Sequence, residues 1–390
     1  MLNGFLGSGK TTLLQSLLVQ SARATPRPRV AAIVNEMSEL DVDGLIVEET
    51  EVLDESTLSV IVGGSIHGPE QLKTLLAETD RLLADPHVDH LFIETSGSTR
   101  PWPLVKALAR HPRTRLHAWL SVLDAAMLRD DLDHGRAVTT GLSRHLRNGT
   151  QGLESLIAEQ VMFASAVYLS KADKLSREEL QTIGTALHPL NPYVPISSLQ
   201  FGNLPLGAVI DAPPYDQRRV AGLGREIEKR DRACPDHAYI ASLLLDDPRP
   251  FHPQRLWDTY TTKLPQTLYR SKGTFWLPTR DDQVLLWNQA AGGINLEFMA
   301  YWKAGVLAHD EGRLSAAEIA HLQTKMAGSH AVFGDRRTQL TLLGVEAETR
   351  AFLTELEACL CTPDEVEAWR AGRPFDDPWP TQFASLDTPP

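Results

Sequence analysis

The stretch Gly4-Phe5-Leu6-Gly7-Ser8-Gly9-Lys10-Thr11 follows the pattern G-x-x-x-x-G-K-[ST], which obliges a strand, a phosphate-cradling loop and a helix in that order. Glycines let the backbone curl so that successive N–H groups converge on phosphate oxygens. Lys10 then extends to the outer phosphates and the Thr11 hydroxyl is placed to hold Mg²⁺. Thr12-Leu13-Leu14-Gln15-Ser16-Leu17-Leu18 carries apolar residues at helical spacing, so the loop empties into a helix whose positive N-terminus faces the anion. Gly4, Gly7, Ser8, Gly9, Lys10, Thr11 and Thr12 are therefore the candidate phosphate-binding residues. Such a loop hangs from a buried strand of about five residues, yet only Met1, Leu2 and Asn3 precede Gly4. The expectation is a three-residue first strand, or a natural start upstream of Met1.

Beyond the loop, β-branched apolar runs alternate with helical patterns, the mark of a parallel sheet with crossover helices. Val30–Val34 reads as a strand that delivers the polar run Asn35–Gly44 at its carboxyl end, the edge where doubly wound sheets bind ligands. Val60–Val62 leads into Gly63–Pro69 on the same edge. His90–Ile93 ends in Glu94-Thr95-Ser96-Gly97, an acidic strand tip followed by a glycine able to approach a γ-phosphate. Ala118–Asp124 and Ala166–Leu169 supply two more strands, and the second ends in Ser170-Lys171-Ala172-Asp173. A carboxylate such as Asp173 accepts two hydrogen bonds, and guanine presents N1–H and N2–H₂ on one edge where adenine has no such pair. The Lys171 stem suits the purine face. In this order the motifs point to GTP with Mg²⁺.

Composition narrows the classes. At 390 residues two domains are expected, and a net charge of −12 supplies no basic stripe for a nucleic-acid backbone. No apolar run reaches the roughly 18 residues of a membrane span, so the expected compartment is the cytoplasm. Cys234, Cys359 and Cys361 read as reduced thiols; a Cys-x-Cys metal clip at 359 and 361 competes with ordinary packing in a helix, where the two face different sides.

The ordered series resembles the CobW-type GTPases, nucleotide-dependent metallochaperones and cofactor-assembly proteins. The resemblance rests on GFLGSGKTTLL at 4–14, NExxExxxDG at 35–44, ETSG at 94–97 and SKAD at 170–173. It continues through LNPYVPI at 190–196 and FGNLP at 201–205, similar to the family's final base-contacting region. In the second half it extends to Arg249–Leu256, Lys272–Leu277, Leu286–Gly293 and Phe333–Arg337. It implies GTP hydrolysis, a nucleotide switch in the 35–44 loop, and metal delivery to a client metalloprotein.

Two departures stand out. The family's guanine tetrad opens with Asn, whereas Ser170 offers one hydroxyl, which bears on affinity more than on base identity. The family's Cys-x-Cys-Cys motif falls on Ser65-Ile66-His67-Gly68, without a thiolate. Of that set only His67 is a donor, with Glu36, Glu39 and Asp41 as neighbours from the adjacent loop, a set suited to loose binding of Zn²⁺ or another divalent transition metal. Asp43 or Glu94 would support Mg²⁺ through water, and Glu39 is the candidate for orienting the attacking water.

The whole reads as an α/β P-loop domain with a doubly wound, mostly parallel sheet, followed by a smaller α+β C-terminal domain. The boundaries are 1–206 for the GTPase domain, 207–236 for an exposed linker, 237–362 for the C-terminal domain and 363–390 for a tail without structure. Strands are expected at 239–245, 273–277, 284–289 and 339–344, with helices at 253–264 and 347–361. Trp276, Trp287 and Trp302 read as core. The expected protein is a GTP hydrolase and metallochaperone; the alternative is a nucleotide-dependent docking module that no longer handles metal.

Overall fold

Among the described residues, seven strands build the first sheet of the computed structural model: β1 (Leu2–Asn3), β2 (Val30–Glu36), β3 (Leu58–Val62), β4 (His90–Glu94), β5 (Leu120–Asp124), β6 (Ala166–Ser170) and β7 (Ile196–Ser198). They lie in the order β3-β2-β4-β1-β5-β6-β7, and every pairing is parallel. The described residues are 1–36, 58–62, 69–148, 152–233, 240–290, 293–310 and 312–380. Ala31, Ala32, Ile33 and Val34 of β2 are all fully buried, as a parallel strand covered on both faces requires. The parallel arrangement has one functional consequence: the residues that follow β1, β2, β4, β5 and β6 all emerge at the same edge.

The central strand is the shortest. Leu2 pairs with Glu94 on one side and Leu120 on the other, and Asn3 with Ser121. The Met1 amine donates to the Ala118 carbonyl at 3.0 Å, and burial lowers it to about 5. Beside it lies a cavity of about 350 Å³, lined by His90–Ile93 on the β4 side and by Arg115–Ala118 leading into β5.

The chain divides into two units, Met1–Ser242 and Leu243–Pro390. Much of the stretch expected to be an exposed linker at 207–236 is instead folded within the first unit. The Tyr215 hydroxyl donates to the Phe163 carbonyl at 2.8 Å, and helix Arg218–Ala233 buries Ile227 and pairs Glu228 with Lys106. Gly224 sits so close to the Trp102 ring that a Cβ would lie 2.2 Å from it. The charge density that suggested a linker is one face of an amphipathic helix, whose apolar positions are too few to stand out in the sequence.

The second sheet comprises β8 (Ile240–Asp247), β9 (Leu268–Leu277), β10 (Arg280–Ala290), β11 (Gly293–Tyr301) and β12 (Thr338–Val345), in the order β11-β10-β9-β12-β8. The pairs β9–β10, β10–β11 and β9–β12 are antiparallel. Phe251, Phe275, Trp287 and Phe352 are fully buried, with helices Pro253–Lys263 and Glu346–Cys359 contributing Leu256 and Leu356 to the same core. Trp276 and Trp302 are core residues too, and the Trp287 indole N–H finds the Ser271 hydroxyl at 2.8 Å. The sequence reading missed β11.

In this unit the cysteines are placed and the extent of the tail is corrected. Cys359 closes its helix and Cys361 lies beyond it, both buried, and burial pushes the Cys361 thiol up to about 12. Both thiols sit in the ordinary packing weighed against a metal clip, with Cys359 Sγ donating to the Thr259 hydroxyl at 3.2 Å. Residues 363–380, expected as tail, also fold. Thr362 and Glu365 form a capping box for helix Pro363–Arg370, and Arg280 reaches the Trp379 carbonyl at 2.8 Å, with Trp379 buried against Trp257. The proline- and aspartate-rich composition of this segment hid two aromatic anchors.

Candidate functional site

The phosphate loop leaves β1 at Gly4, where φ is 151° and an added Cβ would lie 2.1 Å from the Val122 carbonyl oxygen, so a residue with a side chain would break the loop's seat on β5. Gly7 and Gly9 also have positive φ, 73° and 90°, and Gly9 precedes helix α1 (Lys10–Arg23). Leu13, Leu14, Leu17 and Leu18 are buried on the inner face of α1 and fix its direction, which aims the helix N-terminus across the loop. Lys10 is 7 % exposed and its ammonium donates to the Phe5 carbonyl at 3.2 Å, folded over the loop that is to receive phosphate. Ser8 is buried with its hydroxyl unpartnered among the described residues, and Thr12 is exposed.

Glu94, at the tip of β4, is buried and accepts a 2.7 Å hydrogen bond from the Thr11 hydroxyl. With its proton committed to the carboxylate, the Thr11 oxygen keeps lone pairs for a cation. Thr11 and Glu94 together suit Mg²⁺, a hard ion that takes oxygen donors and keeps several waters. The turn after Glu94 is clamped to the phosphate loop. Thr95 N–H donates to the Leu2 carbonyl at 2.9 Å, Asn3 Nδ2 to the Thr99 carbonyl at 3.2 Å, and a Cβ on Gly97 would lie 2.5 Å from the Leu6 nitrogen. Arg100 closes the turn with a two-pronged bond to the buried Glu159, at 2.9 and 2.6 Å.

The base-reading turn lies at the end of β6. The Ser170 hydroxyl donates to the Leu123 carbonyl at 3.2 Å, and Ser170 Cβ is the nearest neighbour to where a Cβ on Gly9 would stand, 3.9 Å away. Ser170 thus abuts the phosphate loop. Lys171 adopts left-handed backbone angles, φ 54° and ψ 31°, and its ammonium pairs with Asp124 Oδ2. Asp173 follows in a short 3₁₀ turn, exposed, where its carboxylate is open to a base edge. The 201–205 segment flanks α1: Gly202 sits against the Thr12 carbonyl, and the Gln20 side chain bonds the Leu204 carbonyl and the Leu206 N–H, both at 2.8 Å.

The structure therefore brings Lys10, Thr11, Glu94, Gly97 and Ser170 to one edge, with Asp173 next in line. Glu36 ends β2 at that edge, its backbone paired in register with Val62. Glu39, Asp41, Asp43 and His67 lie outside the described residues, as does the segment carrying Ser65 and Gly68.

Residues 1–198 match the CobW/HypB/UreG nucleotide-binding domain. The chain belongs to that family. Residues 240–360 match the C-terminal domain of the cobalamin synthesis protein cobW. Among similar proteins is the zinc-regulated GTPase metalloprotein activator 1 of Dictyostelium discoideum, 26 % identical over 398 residues, covering 95 % of this chain and 82 % of that one. The zinc chaperone CobW of Pseudomonas aeruginosa is 27 % identical over 255 residues, covering 61 % and 62 %. Among solved structures, the Zn(II)-bound YjiA GTPase from E. coli aligns over 91 % of this chain and 97 % of its own at 18 % identity and a TM-score of 0.35. No helix among the described residues is long and apolar enough to cross a membrane.

Sequence reasoning overlooked two members of this CobW-family site. Asp124 caps helix Ala125–Asp130 through Oδ1 and holds Lys171 through Oδ2; an aspartate between an apolar strand and a helical run is a legible cap signal. The Arg100–Glu159 pair had no such signal, because its partners are 59 residues apart and meet only through the fold.

Proposed function

We propose that the protein is a cytosolic GTP-hydrolysing switch that delivers a divalent metal ion to a client metalloprotein, or assists its assembly. The observation that supports this reading is the convergence of Lys10 and Thr11, Glu94, and the Ser170–Asp173 turn from separate strands on one sheet edge. Lys10 and the loop amides would hold the phosphates, and Asp173 would accept the guanine N1–H and N2–H₂. Thr11 and Glu94 would hold Mg²⁺, which neutralises charge on the phosphates. Gly97 N–H, pinned beside Leu6, would sense the γ-phosphate, so that hydrolysis releases the 35–44 loop. Glu39 is assigned to orienting the attacking water, and Asp43 to assisting the ion.

Nucleotide competition tests the base assignment. GTP is expected to displace a fluorescent guanine nucleotide far better than ATP, and Asp173→Asn to weaken GTP binding by about 2–3 kcal/mol, because the lost bonds are charge-assisted. Xanthosine triphosphate gains relative to GTP in that variant. Equal affinity of the native protein for ATP and GTP would overturn the assignment.

The metal cargo is supported by the zinc-handling roles of the similar proteins and tested by titration. With His67 and the carboxylates of Glu36 and Glu39 in place of thiolates, Zn²⁺ is expected to bind more weakly than in thiolate-bearing relatives. Binding should differ between GTP-analogue and GDP states, since Glu36 and Glu39 belong to the loop assigned to the nucleotide switch. Calorimetry on native protein and His67→Ala, each with both nucleotides, measures this. Tight binding indifferent to His67→Ala would place the metal elsewhere, and absence of binding in every state would leave a docking module.

A further inference from the structure

We propose that Asp124 is the positioning residue of the guanine-reading turn, tying Lys171 into the conformation that presents Asp173 to the base; this rests on the GTP reading above. The sheet register sets Asp124 directly beside Ser170, one residue before Lys171. Asp124 is 3 % exposed, and both carboxylate oxygens are engaged. Oδ1 accepts from the Ala126 and Met127 N–H groups at 3.1 and 3.2 Å, and Oδ2 accepts from the Lys171 ammonium at 2.5 Å. Lys171 is held in the left-handed region, which side chains rarely adopt, and the residues after it turn at once into Ala172–Lys174. The strained residue lies between the strand that abuts the phosphate loop and the turn that carries Asp173. A charge-assisted bond from a helix-anchored carboxylate to the Lys171 ammonium is the contact that offsets this backbone geometry. The same bond lays the Lys171 stem back along the end of the sheet. Asp124 thereby acts on base selection through Lys171 without touching the nucleotide.

Asp124 also caps a helix, so the test separates the two duties. Asp124→Asn keeps the cap, since Asn caps as well as Asp, but turns an amide or a neutral oxygen toward the ammonium. Lys171→Met keeps the apolar stem and removes the ammonium. Affinities for GTP, for ITP, which lacks the exocyclic amine that Asp173 reads, and for tripolyphosphate, which engages only the phosphate loop, are measured for native protein, each variant and the double variant. The native protein is expected to prefer GTP over ITP by at least about tenfold, the worth of one charge-assisted bond. Each single variant should bring that ratio close to unity, the double variant should go no further, and tripolyphosphate should bind all four proteins alike. A GTP-to-ITP preference unchanged in Lys171→Met, or in folded Asp124→Asn, would overturn the positioning role while leaving the GTP reading intact. A native protein indifferent to the exocyclic amine would overturn that reading, and the inference with it.

Discussion

Lys10→Ala is expected to lower GTP turnover by at least about 10³-fold, because stabilisation of charge on the transferring phosphoryl group carries most of the catalysis in reactions of this type. The structure makes Lys10 a preorganised group: nearly buried, its ammonium already lies across the loop on the Phe5 carbonyl, so little reorganisation is needed when phosphate arrives. Alanine removes the charge and leaves the loop glycines and the inner face of α1 untouched, so the variant should fold. Phosphate release at saturating GTP, with circular dichroism as the control for folding, reads the effect. Turnover within about tenfold of the native rate would show that Lys10 is not at the reacting phosphate.

Gly97→Ala is the second large effect, and it acts through packing. The added Cβ would stand 2.5 Å from the Leu6 nitrogen and 2.9 Å from its Cα, backbone atoms that no rotamer change can move aside. Overpacking of this kind costs about 1–3 kcal/mol in an ordinary core. Here the strain falls on a turn held by Asn3, Thr95 and Arg100, so the phosphate loop is the part that yields. GTP affinity is expected to fall by about a hundredfold or more, equivalent to about 3 kcal/mol, with a lowered Tm. Gly184→Ala, in helix Arg177–Leu187, is the internal control, since a Cβ there meets none of the described residues within 4 Å, and it should be neutral or stabilising. Native nucleotide affinity in Gly97→Ala would mean that the turn and the phosphate loop are not pressed together in solution.

Much of the site was legible because its chemistry is local. The Gly4–Thr11 loop, the Glu94 strand tip and the Ser170–Asp173 tetrad are each short runs whose residue types dictate a backbone shape and a ligand. Their order along the chain, combined with the rule that ligands bind beyond the carboxyl ends of parallel strands, is enough to place them on one edge. In the second unit, among the described residues, four of the five strands and the helices Pro253–Lys263 and Glu346–Cys359 were legible from alternation and periodicity, whereas helices Lys303–Ala308 and Ala316–Lys325 were not. The exceptions show where that signal fades. The strand β11 was given no assignment, helix Arg218–Ala233 was read as a charged linker, and residues 363–380 as tail. In the last two, a few apolar residues, Ile227, Trp369 and Trp379, do the anchoring within a polar background, and whether such residues find a partner depends on surfaces built elsewhere in the chain.

What the sequence by itself determined is therefore the ligand class and the fold type, since both follow from backbone requirements written in contiguous residues. What only the tertiary structure decided is how those pieces are held: the Thr11–Glu94 bond, the seat of Gly97 on Leu6, the Arg100–Glu159 clamp and the Asp124–Lys171 pair. Each joins residues that are dozens of positions apart. Their distances arise from strand order and register, which are fixed by the burial of the whole sheet rather than by any local pattern.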